Sequence, residues 1–204
     1  PLRLRQVHKS MARALHIGVL GAMSEEIGSD LGHLQQLQRE QHGDLTIHHG
    51  TWGEGIRLSL AWSGWGKVSA ARAATRLLCS APKIDLLLFT GVAGAADPAL
   101  KQWDVVLANA VVQHDMDSRP LFPRFTLPAL NRAQLNPNSS WLTWASQALA
   151  QADQGGELDG FGTPSTGLIA TGDRFIGDAD VLDALREALP GLKAVEMEGA
   201  AVAQ

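Results

Sequence analysis

No tyrosine occurs in the 204 residues, and the only cysteine is Cys79. A lone cysteine excludes an internal disulfide and favours a reducing compartment. Cys79 stands in an apolar, helix-like run and is expected to be a buried structural thiol. Long apolar stretches are missing as well. The longest notable one, Leu86-Leu87-Leu88-Phe89, is far too short to cross a bilayer. Positive charge is not in excess: a formal net charge of -4 offers no electrostatic attraction to nucleic acid or to an anionic membrane. No Gly-Lys-Ser/Thr follows a glycine-rich turn, so there is no P-loop. The dinucleotide fingerprint lacks its third glycine, and no HExxH occurs. Repeats and low-complexity tracts are absent. Nothing in the sequence explains six tryptophans beside no tyrosine.

What remains has the composition of a globular protein, 45% hydrophobic and 19% charged, at a length that suits one domain. The basic opening, PLRLRQVHKSMARAL, lacks the apolar core of a secretory signal. Residues 1–15 are therefore expected to be an extension outside the fold, with Met11 a candidate natural start, and 16–204 the domain.

The chain is organised around HIGVLGAMSEEIGSDL, His16 to Leu31. Ile17, Val19 and Leu20 suit a buried strand, and Gly21-Ala22 allows a sharp turn. Ser24 is expected to cap a helix whose first turn carries Glu25 and Glu26. The polar, glutamine-rich stretch from Leu34 to Asp44 is expected to finish that helix and form a surface connection. LTIHHGTW and IRLSLAWSG, either side of Gly53-Glu54-Gly55, predict a hairpin. A helix is expected from Gly66 to Ser80, closed by Pro82.

Ile84 to Thr90 reads as a strand covered on both faces. It ends in Gly91-Val92-Ala93-Gly94-Ala95, where small residues permit a tight turn or close approach of a ligand. Trp103 to Val112 reads as another strand. The proline-bearing segment after it is long enough to be functional or disordered. His114, Asp115 and Asp117 lack a diagnostic metal-ligand spacing, and a polar strand end is the preferred reading. Ser139 to Ala152 predicts a helix with a serine cap. GLIATGDRFIGDADVLDALREALPG predicts a strand, a loop through Gly172-Asp173, and a helix from Asp178. LKAVEMEGAAVAQ predicts a strand through Val195 leading into Glu196-Met197-Glu198 and a helix of small residues. Alternating strands and helices imply an α/β layered domain.

Two carboxylate pairs, Glu25/Glu26 and Glu196/Glu198, thus stand at strand-to-helix junctions. In a parallel sheet such junctions share one edge, where ligands bind, so the pairs are expected to flank one pocket. Helix-dipole complementation is the plainer alternative for the first pair.

GVLGAMSEEI, SGWGKVSAARAAT, LLLFTGVAGAADP, HDMD, ATGDRFI and AVEMEGAAVA occur in the order seen in bacterial 5'-methylthioadenosine/S-adenosylhomocysteine nucleosidases. These belong to the purine nucleoside phosphorylase superfamily, and the resemblance runs from about His16 to Gln204. It implies a single three-layer α/β domain with a central mixed, largely parallel twisted sheet flanked by helices. It also implies a cytoplasmic enzyme of nucleoside metabolism and methionine salvage, with no metal, no cofactor and no nucleic-acid or membrane partner. By the resemblance, Glu26 activates the attacking water and Glu198 holds the ribose hydroxyls. Met197 packs on the sugar with Glu196 beside it. Phe175 stacks near the adenine, whose edge the backbone of Ile176 reads. Met23, Val92, Ala93 and Gly94 line the pocket. A homodimer is implied too, with the segment from Ser118 to Pro128, bearing Leu121, Phe122 and Phe125, over the neighbour's substrate.

The chain departs from the pattern twice. The aspartate that protonates the purine is expected beyond Gln204, so the sequence reads as a truncated one lacking a C-terminal strand and helix. Val92 stands where those enzymes usually carry serine or threonine, and it cannot hydrogen-bond that aspartate. Three readings stay open beside a nucleosidase for 5'-thioadenosines. These are a purine nucleoside phosphorylase, a hydrolase of another nucleoside, and a non-catalytic nucleoside-binding homologue. Phosphorolysis needs a cationic site, yet the relevant places hold Met23-Ser24-Glu25-Glu26 and Leu88-Phe89-Thr90, which favours hydrolysis.

Overall fold

The computed structural model describes residues 14–80 and 83–204. Most of the expected N-terminal extension, Met11 as a start, and Pro82 as a helix terminator lie outside the described residues. The chain groups into two compact units, divided between Gly91 and Val92. Each is an α/β arrangement built on a five-stranded mixed sheet.

In the first unit β1 (Leu15–Gly21) lies between β4 (Ile56–Trp62) and β5 (Leu86–Phe89), parallel to both. All seven residues of β1 are buried, as its bulky apolar side chains require. β3 (Leu45–Trp52) pairs antiparallel with β4 through the Gly53–Gly55 turn, as the hairpin signal predicts. Beyond it, β2 (Gln35–His42) forms the sheet's outer edge.

Helix α2 (Lys67–Ser80) packs on β1 and β4. Its buried residues, Ala70, Ala73, Ala74 and Leu77, recur at the three- and four-residue spacing of one helical face. Leu77 reaches down onto Gly18, where an added Cβ would stand 3.3 Å from Leu77 Cδ2. Arg72 and Arg76 take the outer side, Arg72 paired with Asp44 at 2.6 Å.

Four expectations are corrected in this unit. Leu34 to Asp44 does not finish a helix but contains strand β2. α1 (Ser24–Ile27) is one turn long, and a 3-10 helix, Gly28–His33, follows it. β5 is not covered on both faces: Leu88 is 42% exposed and its other three residues are only half-buried. Cys79 is exposed, because it falls outside the buried Ala70/Ala73/Ala74/Leu77 stripe of α2.

The second unit orders its strands β6 (Gly94–Ala95), β10 (Leu192–Glu196), β9 (Ser165–Thr171), β7 (Val106–Gln113) and β8 (Gln134–Leu135). The inner three are mutually parallel, and the short outer ones run antiparallel. Val112, Leu168, Ala170 and Val195 of the sheet meet Leu185 and Leu189 from α4 (Ala179–Ala188) and its exit. Phe125 joins this core from the long segment after β7. That segment is therefore anchored, and its Phe125 N–H donates to the Met116 carbonyl at 2.9 Å.

α3 (Ser139–Gln154) is capped by Asn138 rather than by a serine. The Asn138 side chain accepts from Ser140 N and Trp141 N at 3.0 and 3.3 Å. Asp178 caps α4 as its sequence position predicts. The chain ends in α5 (Gly199–Ala203).

Candidate active site

In the first unit the carboxyl ends of β1, β4 and β5 share one edge, because the three strands are parallel. The main chain continues the ladder a little past it: Ser63 N–H donates to Gly21 O at 2.9 Å and Thr90 N–H to Leu20 O at 3.0 Å. Glu26 stands at this edge. Its Oε2 accepts from Ala22 N at 2.6 Å and Met23 N at 3.0 Å, so the side chain folds back on the turn leaving β1. Ser24 does not cap α1; its hydroxyl donates to Glu25 Oε2 at 3.1 Å. The neighbouring glutamates thus differ: Glu25 is exposed, while Glu26 is half-buried and oriented by two amides.

Room for the Glu26 carboxyl comes from two glycines. An added Cβ would stand 2.9 Å from Glu26 Oε2 at Gly21, and 2.9 Å from Oε1 at Gly91. Neither glycine has a positive φ, so the constraint is space alone. Gly91 was legible only as part of a small-residue turn; its partner, fixed by the fold, is not visible in sequence.

In the second unit β7, β9 and β10 end at one edge in the same way. Glu196, the last residue of β10, has its carboxylate largely engaged. Oε2 accepts from Glu198 N at 2.8 Å and Gly199 N at 2.6 Å, and Oε1 accepts the Thr171 hydroxyl. Thr171 Oγ1 in turn accepts from Ala200 N at 2.8 Å. Glu196 therefore secures the turn into α5, which carries Glu198, itself 6% exposed. Thr171 is a positioning partner that sequence reading missed, although a hydroxyl at the last position of a buried strand was the available signal. Met197 between the two glutamates is half-buried. Val92, Ala93 and Gly94 lead into β6, whose Gly94 pairs with Val195, so they lie beside the end of β10. Val92 is 68% exposed.

Phe175 and Ile176 belong to the loop leaving β9. Ile176 packs partly against the core, while Phe175 is 84% exposed, which removes core packing as its role. The loop starts under firm control. His114 N–H donates to Thr171 O at 2.9 Å, and Gly172 N–H to Glu196 O at 3.1 Å. The buried His114 ring lies close against Gly172, where an added Cβ would come within 3.0 Å of three ring atoms. Asp115 accepts from Asp173 N at 2.9 Å. Asp117 instead pairs with Arg119, whose guanidinium holds the carboxyl down to about 2. HDMD is thus divided between packing, a loop contact and a surface ion pair. Among the described residues no group of three His, Cys, Asp or Glu side chains is placed to hold a metal ion. Phe125 is committed to the core of its own unit, so of the three apolar residues expected to reach a neighbour, Leu121 alone is fully open, at 84% exposure.

Residues 16–204 match the family model of the phosphorylase superfamily. The 5'-methylthioadenosine/S-adenosylhomocysteine nucleosidase of Chromohalobacter salexigens is 35% identical over 188 residues, 92% of this chain and 76% of that protein. The crystal structure of the corresponding nucleosidase from Colwellia psychrerythraea, in complex with adenine, superposes with a TM-score of 0.83 at 32% identity, covering 94% of this chain and 76% of the other. The Neisseria meningitidis nucleosidase, in complex with methylthio-immucillin-A, gives a TM-score of 0.82 at 30% identity, covering 93% and 78%. Ordered motifs, fold and relatives agree: the chain belongs to the 5'-methylthioadenosine/S-adenosylhomocysteine nucleosidase family of the phosphorylase superfamily.

Proposed function

We propose that this chain hydrolyses the N-glycosidic bond of a 5'-thio-substituted adenosine, methylthioadenosine or adenosylhomocysteine, and releases adenine. The observation that carries the reading is the Glu26 carboxylate, held by the amides of Ala22 and Met23 at the carboxyl end of β1. The names of the relatives, and the adenine and immucillin in two of their structures, support the substrate class.

In this reading Glu26 is the general base. It takes a proton from water as the oxygen adds to the anomeric carbon and the bond to the purine breaks; the departing base takes a proton from solvent, to which Glu26 later returns its own. A carboxylate is suited to this because it offers an acceptor oxygen to the water proton, here on a side chain oriented by two amides. Positive charge that builds on the ribose is stabilised by negative charge nearby. Glu198 receives the ribose hydroxyls, and Met197 packs on the sugar. Phe175 supplies a face for the adenine, and the Ile176 backbone reads its edge. Met23, Val92, Ala93 and Gly94 line the site. Glu196 acts chiefly by holding the Glu198 turn.

Phosphorolysis is disfavoured by the same carboxylate, which repels an incoming phosphate. Release of the base, adenine from methylthioadenosine and adenosylhomocysteine and hypoxanthine from inosine, measured with and without phosphate, tests the proposal. Release from the two thio-nucleosides, independent of phosphate and with oxygen from labelled water in the sugar product, is expected. Phosphate-dependent release makes the chain a phosphorylase. Tight binding without turnover makes it a nucleoside-binding homologue.

The described residues contain no helix long and apolar enough to cross a membrane. We place the activity in the cytoplasm, in methionine salvage, and assign a homodimer with Leu121 and Phe122 toward the neighbouring subunit. Sedimentation as a monomer alone at micromolar concentration would remove the dimer.

A further inference from the structure

We propose that Asp115 is a positioning residue for adenine recognition, tying the loop that presents Phe175 and Ile176 to the end of β7. The inference rests on the nucleosidase reading. β7 and β9 are paired in parallel up to Gln113 and Thr171, and the ladder adds one more bond from His114 N–H to Thr171 O. There the main-chain pairing stops. Two residues past each strand end, the Asp115 carboxylate takes the place of a backbone acceptor and receives the Asp173 N–H at 2.9 Å.

A side-chain acceptor carrying full charge makes a stronger bond than a neutral carbonyl. At the far end of the loop Asp178 accepts from Asp180 N at 2.9 Å and Val181 N at 3.3 Å. The span between these two anchors is Arg174 to Gly177, which contains Phe175 and Ile176. Ile176 rests on the core, but Phe175 is 84% exposed and has little packing of its own to hold its height. Removing the Asp115 anchor lengthens the loose span on the Phe175 side. Ordering the loop must then be done at the moment of binding, which weakens capture of the base while leaving the reacting end of the nucleoside unchanged.

The test compares wild type, Asp115→Ala and Asp115→Asn. Asparagine keeps an oxygen acceptor for the Asp173 amide, whereas alanine removes it. Asp115→Ala should speed hydrogen exchange at the Asp173 amide and raise KM for methylthioadenosine, each by about tenfold, the worth of one lost hydrogen bond. kcat should stay within about threefold, and Asp115→Asn should restore both readouts. Exchange in Asp115→Ala equal to wild type overturns the tether. Faster exchange with KM unchanged overturns the positioning role and leaves the nucleosidase reading intact. A wild-type chain that releases no adenine, with exchange behaving as expected, overturns the nucleosidase reading and leaves the tether standing.

Discussion

Gly91 gives the Glu26 carboxyl group its place: a methyl group on Gly91 would stand 2.9 Å from Oε1 and 3.2 Å from the carboxyl carbon. Because Oε2 is held by two amides, the group cannot yield without losing one of them. Gly91→Ala should therefore displace the base and lower kcat by about 10- to 100-fold, the order expected for a misplacement approaching 1 Å. The backbone there needs no positive φ, so the fold should tolerate the change. Steady-state adenine release with a thermal melt beside it checks both halves. Wild-type kcat in Gly91→Ala would show that the contact is idle.

Glu196 and Glu198 are two residues apart and should fail in different ways. Glu196→Ala removes the acceptor for the Glu198 and Gly199 amides and for the Thr171 hydroxyl. It should cost about 1–3 kcal/mol of stability, the loss typical of buried donors left unsatisfied. Thr171→Val should cost a similar amount, and the double variant less than the sum, because the two share one network. Glu198→Gln keeps the side-chain shape, so it should lose adenine release while its Tm stays near that of wild type. Denaturant titration and activity separate the two patterns.

His48, on β3, is 6% exposed, and its ring meets Trp62 edge to face at 5.0 Å. Among the described residues neither His48 Nδ1 nor Trp62 Nε1 has a hydrogen-bond partner. Burial, followed by the charges of Arg39 and His49, lowers the His48 pKa below its ordinary 6.5. Below pH 6.5 the unfolded chain then binds a proton that the folded chain refuses, so stability falls as the pH drops from that value toward the lowered one. The contribution is intact above it. Melts between neutral and mildly acidic pH should show this loss, and His48→Phe should shrink the slope. An identical slope in the variant would assign the acid sensitivity elsewhere.

Much of this fold was legible because local signals and tertiary demands agreed. β1 is a compact apolar strand ended by Gly21-Ala22, and Asp178 caps α4 where an acidic residue was expected. β2 was not legible. Its Gln-Gln-Leu-Gln-Arg-Glu-Gln-His has no alternation, since an edge strand draws its order from pairing with β3. Asn138 was overlooked as a cap because the serines after it matched the same signal. At the site, the residue types at the strand ends announced themselves, but their partners did not. Glu196 looked like a ligand group and proves to be engaged by backbone amides and Thr171. Asp115 looked like a strand-end carboxylate and proves to hold the Asp173 amide. Which atoms a carboxylate meets depends on register between distant segments, and sequence spacing does not carry that.

Most directly at stake is whether Glu26 removes the proton from water. Single-turnover adenine release from methylthioadenosine by Glu26→Gln, at equal nucleoside occupancy, measures it. Glutamine preserves shape and an acceptor oxygen for the Ala22 and Met23 amides, but it cannot serve as a base. The rate is expected to fall by about 10²- to 10⁴-fold, the contribution usual for a positioned base. A rate within a few-fold of wild type would contradict the account.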